Sequence, residues 1–150
     1  MRLTSAMLDV SEVSSEVSSD QAGAISVFIG TTRNNFEGKR VVSLEYEAFV
    51  PMAERELRRL CSATRAKWPG VCGIAIHHRL GLVPVGQSSV IIAVSSCHRR
   101  EAIGAHCHLF LVCFLRISGF YNDIPFNMQA RSVRMTSILA RTAPVMSGCN

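Results

Sequence analysis

A chain of 150 residues that is 48% hydrophobic is long enough to build one domain with a core, and too hydrophobic for general disorder. Its net charge of +5 at pH 7 favours anionic partners such as phosphates, nucleic acids or acidic protein surfaces. The longest apolar run, residues 109–115, is far shorter than the roughly 20 residues of a membrane span, so no membrane insertion is expected.

Residues 1–22 are rich in serine, valine and glutamate, and we expect a short segment with a frayed helix. The apolar run 23–30, bounded by glycines, predicts a buried strand. Residues 41–49 alternate in polarity and predict a half-buried strand. Its apolar face would hold Val42, Leu44, Tyr46 and Ala48. We expect these two strands to pair as a long hairpin around the polar loop between them.

Residues 51–68 repeat apolar side chains at helical spacing, and Pro69-Gly70 should end this amphipathic helix. A strand is expected over 73–81, and a second over 88–96, whose continuous apolar centre is typical of a central strand. A helix buried on all sides, including Cys107, is expected over 98–115, and a weak helix over 129–141. The order predicts an α+β fold, a mostly antiparallel sheet with helices packed on one side.

Arg33 follows the first strand in a loop of turn-forming residues, and its fork of donors suits a phosphate or carboxylate. His98 and Arg99 fall where a strand gives way to a helix N-terminus, which is a natural anion site. In the competing interpretation Arg33 is an idle surface residue, Ser96 caps the helix, and the His98-Arg99 pair is merely solvated.

His77 and His78 are adjacent in a strand, so one ring should face inward and the other outward. Both are interpreted as structural, because no carboxylate or cysteine stands at metal-ligand spacing. None of the six cysteines forms a CxxC pair and no secretory segment is visible, so we expect reduced thiols, no metal site and a cytosolic protein.

Several segments together resemble the large, catalytic subunit of molybdopterin synthase over about residues 23–103. They are "GAISVFIGTTRNNFEGKRVVSLEYEAFVPMAE", "HRLG" and "SSVIIAVSSCHR", in the same order and spacing as in that family. The resemblance implies an α/β-hammerhead fold and a homodimer that binds two ubiquitin-like small subunits, giving a heterotetramer. It also implies a sulfurtransferase of molybdenum cofactor biosynthesis. The thiocarboxylate of the small subunit would supply sulfur to cyclic pyranopterin monophosphate, with no cofactor.

The family's substrate-binding positions carry over to Thr31, Thr32 and Arg33 in the first loop, and to His98 and Arg99 in the second. The family's catalytic lysines lie in a later segment close to "LKxxxPxWKKE". No lysine follows Lys67 in this chain, so those lysines are absent and the catalytic residues are unknown.

The extent of the resemblance predicts three parts: a short N-terminal segment (1–22), a family-like domain (23–103) and a C-terminal segment (104–150) that diverges from the family. The C-terminal segment could be poorly ordered. An alternative to the enzyme is therefore a catalytically impaired variant that acts only in binding or dimerisation. A third hypothesis, a nucleic-acid-binding protein, is disfavoured, because aromatic residues make up only 7% and the main ones are expected to be buried.

Overall fold

The computed structural model describes residues 1–36 and 38–117. Eleven elements follow one another in this part of the chain: β1 (Arg2–Thr4), α1 (Val10–Glu16), β2 (Ala24–Thr31), β3 (Asn35–Phe36), β4 (Lys39–Arg40), β5 (Ser43–Tyr46), α2 (Val50–Lys67), β6 (Val71–Arg79), β7 (Gly81–Pro84), β8 (Ser88–Ser96) and α3 (Arg99–Ile117). The helix expected over 129–141 lies outside the described residues. Among the helices described, none is both long and apolar enough to cross a membrane.

The main sheet has the strand order β1-β6-β8-β2. As predicted, β8 is central, and it runs antiparallel to both of its neighbours. Strand β1, which the sequence did not reveal, adds a short parallel edge next to β6. Two small ribbons, β3–β4 and β5–β7, complete the strands, so the fold is α+β and mostly antiparallel, as expected.

The predicted long hairpin is wrong. Strand β2 pairs with β8 along its whole length, and β5 pairs with β7. The loop between β2 and β5 instead forms its own small ribbon, closed where the amide of Val41 donates to the carbonyl of Asn34 over 2.9 Å. A long polar loop does not fix strand pairing, and β8 offers β2 a partner of matching length and apolar pattern.

The two long helices cover one face of the sheet, as predicted. Residues Leu57 and Leu60 of α2 and Leu109 of α3 pack with Ile76 and Ile92 of the sheet. Helix α2 has nearly the predicted bounds. In α3 the buried positions recur at helical spacing, Ala102, Ala105, His106, Leu109 and Cys113, whereas Cys107 is exposed, contrary to expectation.

The opposite face of the sheet is covered by the short helix α1, which is better ordered than the sequence suggested. The side chain of Asp9 accepts a hydrogen bond from the amide of Ser11 at its start. Val13 is fully buried and packs on the second face of β6 and β8. The close approach depends on Gly73, because a Cβ there would lie 2.9 Å from the Cα of Val17.

Strand β2 was expected to be buried, yet one of its faces is only half-buried and the other is exposed. Ile25, Val27 and Ile29 point away from α3 and are 42%, 37% and 42% exposed. The strand is also the edge of the sheet in the part of the chain that is described. At the start of β5 the burial is the reverse of the prediction. Val42 was expected on the buried face but is exposed, and Ser43 is buried.

Two buried histidines predict how stability depends on pH. Burial lowers the pKa of His106 despite its 2.6 Å hydrogen bond with Ser26, and burial also lowers the pKa of His78. The unfolded chain therefore binds protons near pH 6.5, where the folded chain does not, and stability falls as the pH drops below that value. Urea unfolding should give a smaller unfolding free energy at about pH 5.5 than at about pH 7.5.

In the His106→Gln variant this difference should shrink. The exposed His98 supplies the matched control, since His98→Gln should leave the difference unchanged. Equal stability of the unsubstituted chain at the two pH values would contradict the prediction.

Candidate functional site

The second predicted site lies where β8 passes into α3. Strand β8 ends at Ser96, and the carbonyl of His98 accepts the amides of Glu101 and Ala102, each over 3.1 Å, so His98 opens the helix. The alternative in which Ser96 caps the helix is not observed. The Ser96 hydroxyl lies 2.7 Å from the carbonyl of Gly70, to which it donates, and thereby ties the end of β8 to the end of α2.

A pocket of about 370 Å³ opens at this junction, lined by Gly23, Cys97, His98, Arg99 and Arg100. Two arginines and a histidine line it beside the N-terminus of α3, whose dipole is positive at that end, and this composition suits a phosphate or another anion. The backbones of Gly23 and Cys97 are in close contact at the wall of this pocket. A side chain at position 23 would clash, because a Cβ there would lie 2.5 Å from the carbonyl oxygen of Cys97.

The one acidic residue in the first turn of α3 is directed away from this pocket. The carboxylate of Glu101 lies against Gly70 and 3.2 Å from the Ser96 hydroxyl. The side chains that line the pocket are therefore cationic or neutral.

The first predicted site, Thr31 to Arg33, follows the end of β2. The amide of Thr32 donates to the carbonyl of Gln87 over 3.1 Å, and its own carbonyl accepts from Gly86 over 2.8 Å. Thr32 is 2% exposed, so this residue anchors the loop, whereas Thr31 and Arg33 are exposed. The guanidinium of Arg33 stacks on Phe36, 5.6 Å from the ring centre.

The structure does not bring the two predicted sites together within one chain. In the β2–β8 ladder Ala24 stands opposite Ser96, whereas Thr31 stands opposite Ser88. The eight residues of β2 span seven steps of about 3.3 Å each, so its two ends lie about 23 Å apart. A small substrate that touched Arg99 of one chain would not reach Arg33 of the same chain.

The adjacent histidines have structural contacts, but both are buried. His77 lies 3.0 Å from a carboxylate oxygen of Glu16, and His78 bonds the carbonyl of Arg79 and packs edge-on against Tyr46. The expectation that one ring would face outward is wrong, because α1 covers the second face. Across the described residues no group of three or more His, Cys, Asp or Glu side chains is placed to hold a metal ion.

Sequence reasoning missed the residues that support the two sites. Arg100 and Gly23 line the pocket, and Arg79 donates to the side chain of Gln87 over 2.6 Å. Since the carbonyl of Gln87 holds Thr32, this contact positions the first loop. The run of two arginines after His98 was a usable signal for Arg100, whereas the contact between Arg79 and Gln87 depends on the turn between β7 and β8.

The pocket predicts measurable anion binding. Loss of a charge-assisted hydrogen bond costs about 1.5–3 kcal/mol, so Arg99→Gln should bind inorganic pyrophosphate roughly tenfold or more weakly in isothermal titration. Arg55→Gln, an equal loss of charge on the exposed side of α2, serves as the control and should bind like the unsubstituted chain. An equal loss of affinity in both variants would indicate nonspecific charge attraction.

Comparison with known proteins places this fold in one class. The family model described as MoaE protein matches residues 3–110. The molybdopterin synthase catalytic subunit of Bos taurus is 62% identical over 105 residues, 70% of this chain and 55% of that protein. The crystal structure of molybdopterin synthase from Staphylococcus aureus superposes with a TM-score of 0.71 at 32% identity, covering 74% of this chain and 80% of that one.

A further structure has the same fold at lower identity. It is the complex of subunits 1 and 2 of molybdopterin-converting factor from Helicobacter pylori, with a TM-score of 0.62, 21% identity, and 75% of each chain covered. The fold is thus that of a MoaE-like domain, and the chain belongs to the MoaE protein family. It spans about half the length of most of the curated mammalian relatives that it matches.

Proposed function

We propose that this chain is a large subunit of molybdopterin synthase, a sulfurtransferase of molybdenum cofactor biosynthesis acting in the cytosol. It would transfer sulfur from a thiocarboxylated, ubiquitin-like small subunit to cyclic pyranopterin monophosphate. The observation that carries the proposal is the family match over residues 3–110, which includes both cationic segments. The relatives' description as catalytic subunits supports a second, sulfur-carrying subunit as partner.

Each proposed binding residue has a role that its chemistry suits. Arg33 and Arg99 would hold the negative charge of the substrate phosphate, and His98 would donate a hydrogen bond or relay a proton. Thr31 would contact the substrate from the exposed side of the loop. Thr32 would contribute chiefly through its anchored backbone, because its side chain is buried. No metal or cofactor is assigned to the reaction.

A homodimer would explain how two cationic segments about 23 Å apart can serve one substrate. Strand β2 has eight residues without a charge and three exposed apolar side chains, and among residues 1–36 and 38–117 it is the edge strand of the sheet. If two copies paired antiparallel along this edge, the end of β2 in one copy would lie beside the start of β2 in the other. Arg33 of one copy would then approach the pocket at His98 and Arg99 of its partner.

Interruption of this edge predicts loss of the dimer. Val27→Lys places a charge in the middle of the exposed face of β2, and charged residues are how edge strands avoid pairing. Light scattering after size-exclusion chromatography should show a dimer for the unsubstituted chain and a monomer for Val27→Lys. Val85→Lys is the control, because Val85 is also a valine and 39% exposed, against 37% for Val27, but lies in a turn. A dimer in both variants would rule out this interface.

The missing lysines favour a second candidate function, that of a binding or dimerisation module without activity. A desolvated lysine can act as a base or as a cation beside developing charge, whereas arginine rarely releases its proton. All cations of the chain after Lys67, histidines aside, are arginines. We propose that divergence from about residue 104 onwards, rather than any change in residues 23–103, limits the chemistry.

A single-turnover assay decides between the two functions. The full chain would be mixed with thiocarboxylated small subunit and cyclic pyranopterin monophosphate, and dithiolene product followed. A general base typically contributes about 10²–10⁴-fold, so we expect a rate lower by that factor than that of a relative with the lysines. A rate equal to the relative's would show that other groups replace them. No product with the small subunit still bound would identify the binding module.

A further inference from the structure

Two cysteine thiols meet at the wall of the cationic pocket. The sulfur atoms of Cys72 and Cys97 are 3.8 Å apart, although 25 residues separate them in the chain. Cys72 sits where the register of β6 against β8 shifts between Val71 and Gly73, and Cys97 immediately follows the last residue of β8. The fold, and not local sequence, therefore brings the two thiols together.

The backbone on both sides of the pair is already held in place. The amide of Cys97 donates to the carbonyl of Gly70 over 3.2 Å. The carbonyls of Val71 and Cys72 accept from one guanidinium nitrogen of Arg65, over 3.1 and 3.3 Å. A disulfide has an S–S length of about 2.05 Å, so the two sulfurs, now 3.8 Å apart, would have to approach by about 1.8 Å. Small rotations of two side chains would suffice to close this gap.

The other cysteines of the described part differ from this pair. Burial raises the pKa of Cys113 to about 12, which makes its thiol unreactive at neutral pH. Cys61 is partly buried with its sulfur 3.6 Å from that of Met1. Cys107 is exposed on the outer side of α3. Cys97 is both exposed and in contact with a second thiol, and solvent access and a neighbouring cysteine that can resolve a sulfenic acid are two features of redox-sensitive cysteines.

We propose that Cys72 and Cys97 are an oxidative modification site, at which a hydroperoxide converts the two thiols into a disulfide. The link would join β6 to the residue before His98 and draw the Cys97 sulfur from the pocket wall towards Cys72. The inference concerns the covalent chemistry of the chain and does not rest on the proposed sulfur transfer.

The reaction balances in two steps. The Cys97 thiol gives up its proton, and the thiolate attacks the terminal OH oxygen of the hydroperoxide. The O–O bond breaks and Cys97 becomes a sulfenic acid, while the departing hydroxide, or the alkoxide of an organic hydroperoxide, takes up that proton and leaves as water or an alcohol. The Cys72 thiolate then attacks the Cys97 sulfur, the S–O bond breaks, and the departing hydroxide takes up a proton to leave as water. The two sulfurs together lose two electrons, which reduce the peroxide. A dithiol reductant reverses the modification.

Peptide mapping tests the proposal directly on the full chain. The folded, reduced protein would be treated with hydrogen peroxide, denatured, blocked with N-ethylmaleimide and digested with trypsin without reductant. Cleavage after Lys67, Arg79 and Arg99 separates the two thiols into peptides 68–79 and 80–99, each with a single cysteine. We expect these peptides to be joined, and the joined species to disappear after reduction with dithiothreitol.

Three comparisons sharpen the result. In Cys72→Ser the sulfenic acid lacks its partner, so peptide 80–99 should instead carry a sulfinic acid. The control Cys107→Ser should still form the joined peptides. In urea, where the fold no longer holds the thiols together, the same treatment should give mixed pairings. Peptide 80–99 of the folded, unsubstituted chain found as sulfinic acid, unmodified or joined to a different cysteine would overturn the proposal.

Discussion

The double burial of strand β8 is the constraint on which the rest of the molecule depends. Ile92 and Val94 face α2 and α3, whereas Ile91 and Ala93 face α1. Both edges of the strand are hydrogen bonded to neighbouring strands. A strand fixed on four sides cannot slip in register, since a one-residue slip would exchange its two faces. The residues that follow its last position, His98 and Arg99, therefore have a defined place at the head of α3.

In helix α3, the residues that the fold needs for packing are only some of the residues of the helix. The core contacts only a stripe of its residues, with Ala105 and Leu109 fully buried, and the stripe continues to Cys113, beyond residue 110 at which the family match ends. Small and apolar residues at helical spacing satisfy that stripe. The packing of α3 therefore constrains only part of its side chains, and the fold alone does not establish activity.

The sequence predicted correctly those elements that local patterns determine. The predictions failed where the structure depends on a segment distant in the chain. Helix α2, the central position of β8 and the helical start at Arg99 followed from periodicity and from turn residues. The pairing of β2, the burial of both His77 and His78, and the pocket contribution of Gly23 depend on segments distant in the chain. Arg33 and Arg99 were identified as anion-binding candidates from the residues themselves, but their separation along β2 emerged only from the ladder register.

An uncharged free edge has a consequence beyond assembly. The outer edge of β2 pairs with no other strand in the described part of the chain, so its backbone amides and carbonyls could accept a strand from another chain, including an unfolded copy, and β2 carries no charge that would oppose this. The same eight residues that would join two folded subunits could also seed cross-β growth when subunits are scarce or partly unfolded. The concentration of correctly folded partner would then determine whether β2 forms a dimer or starts cross-β growth.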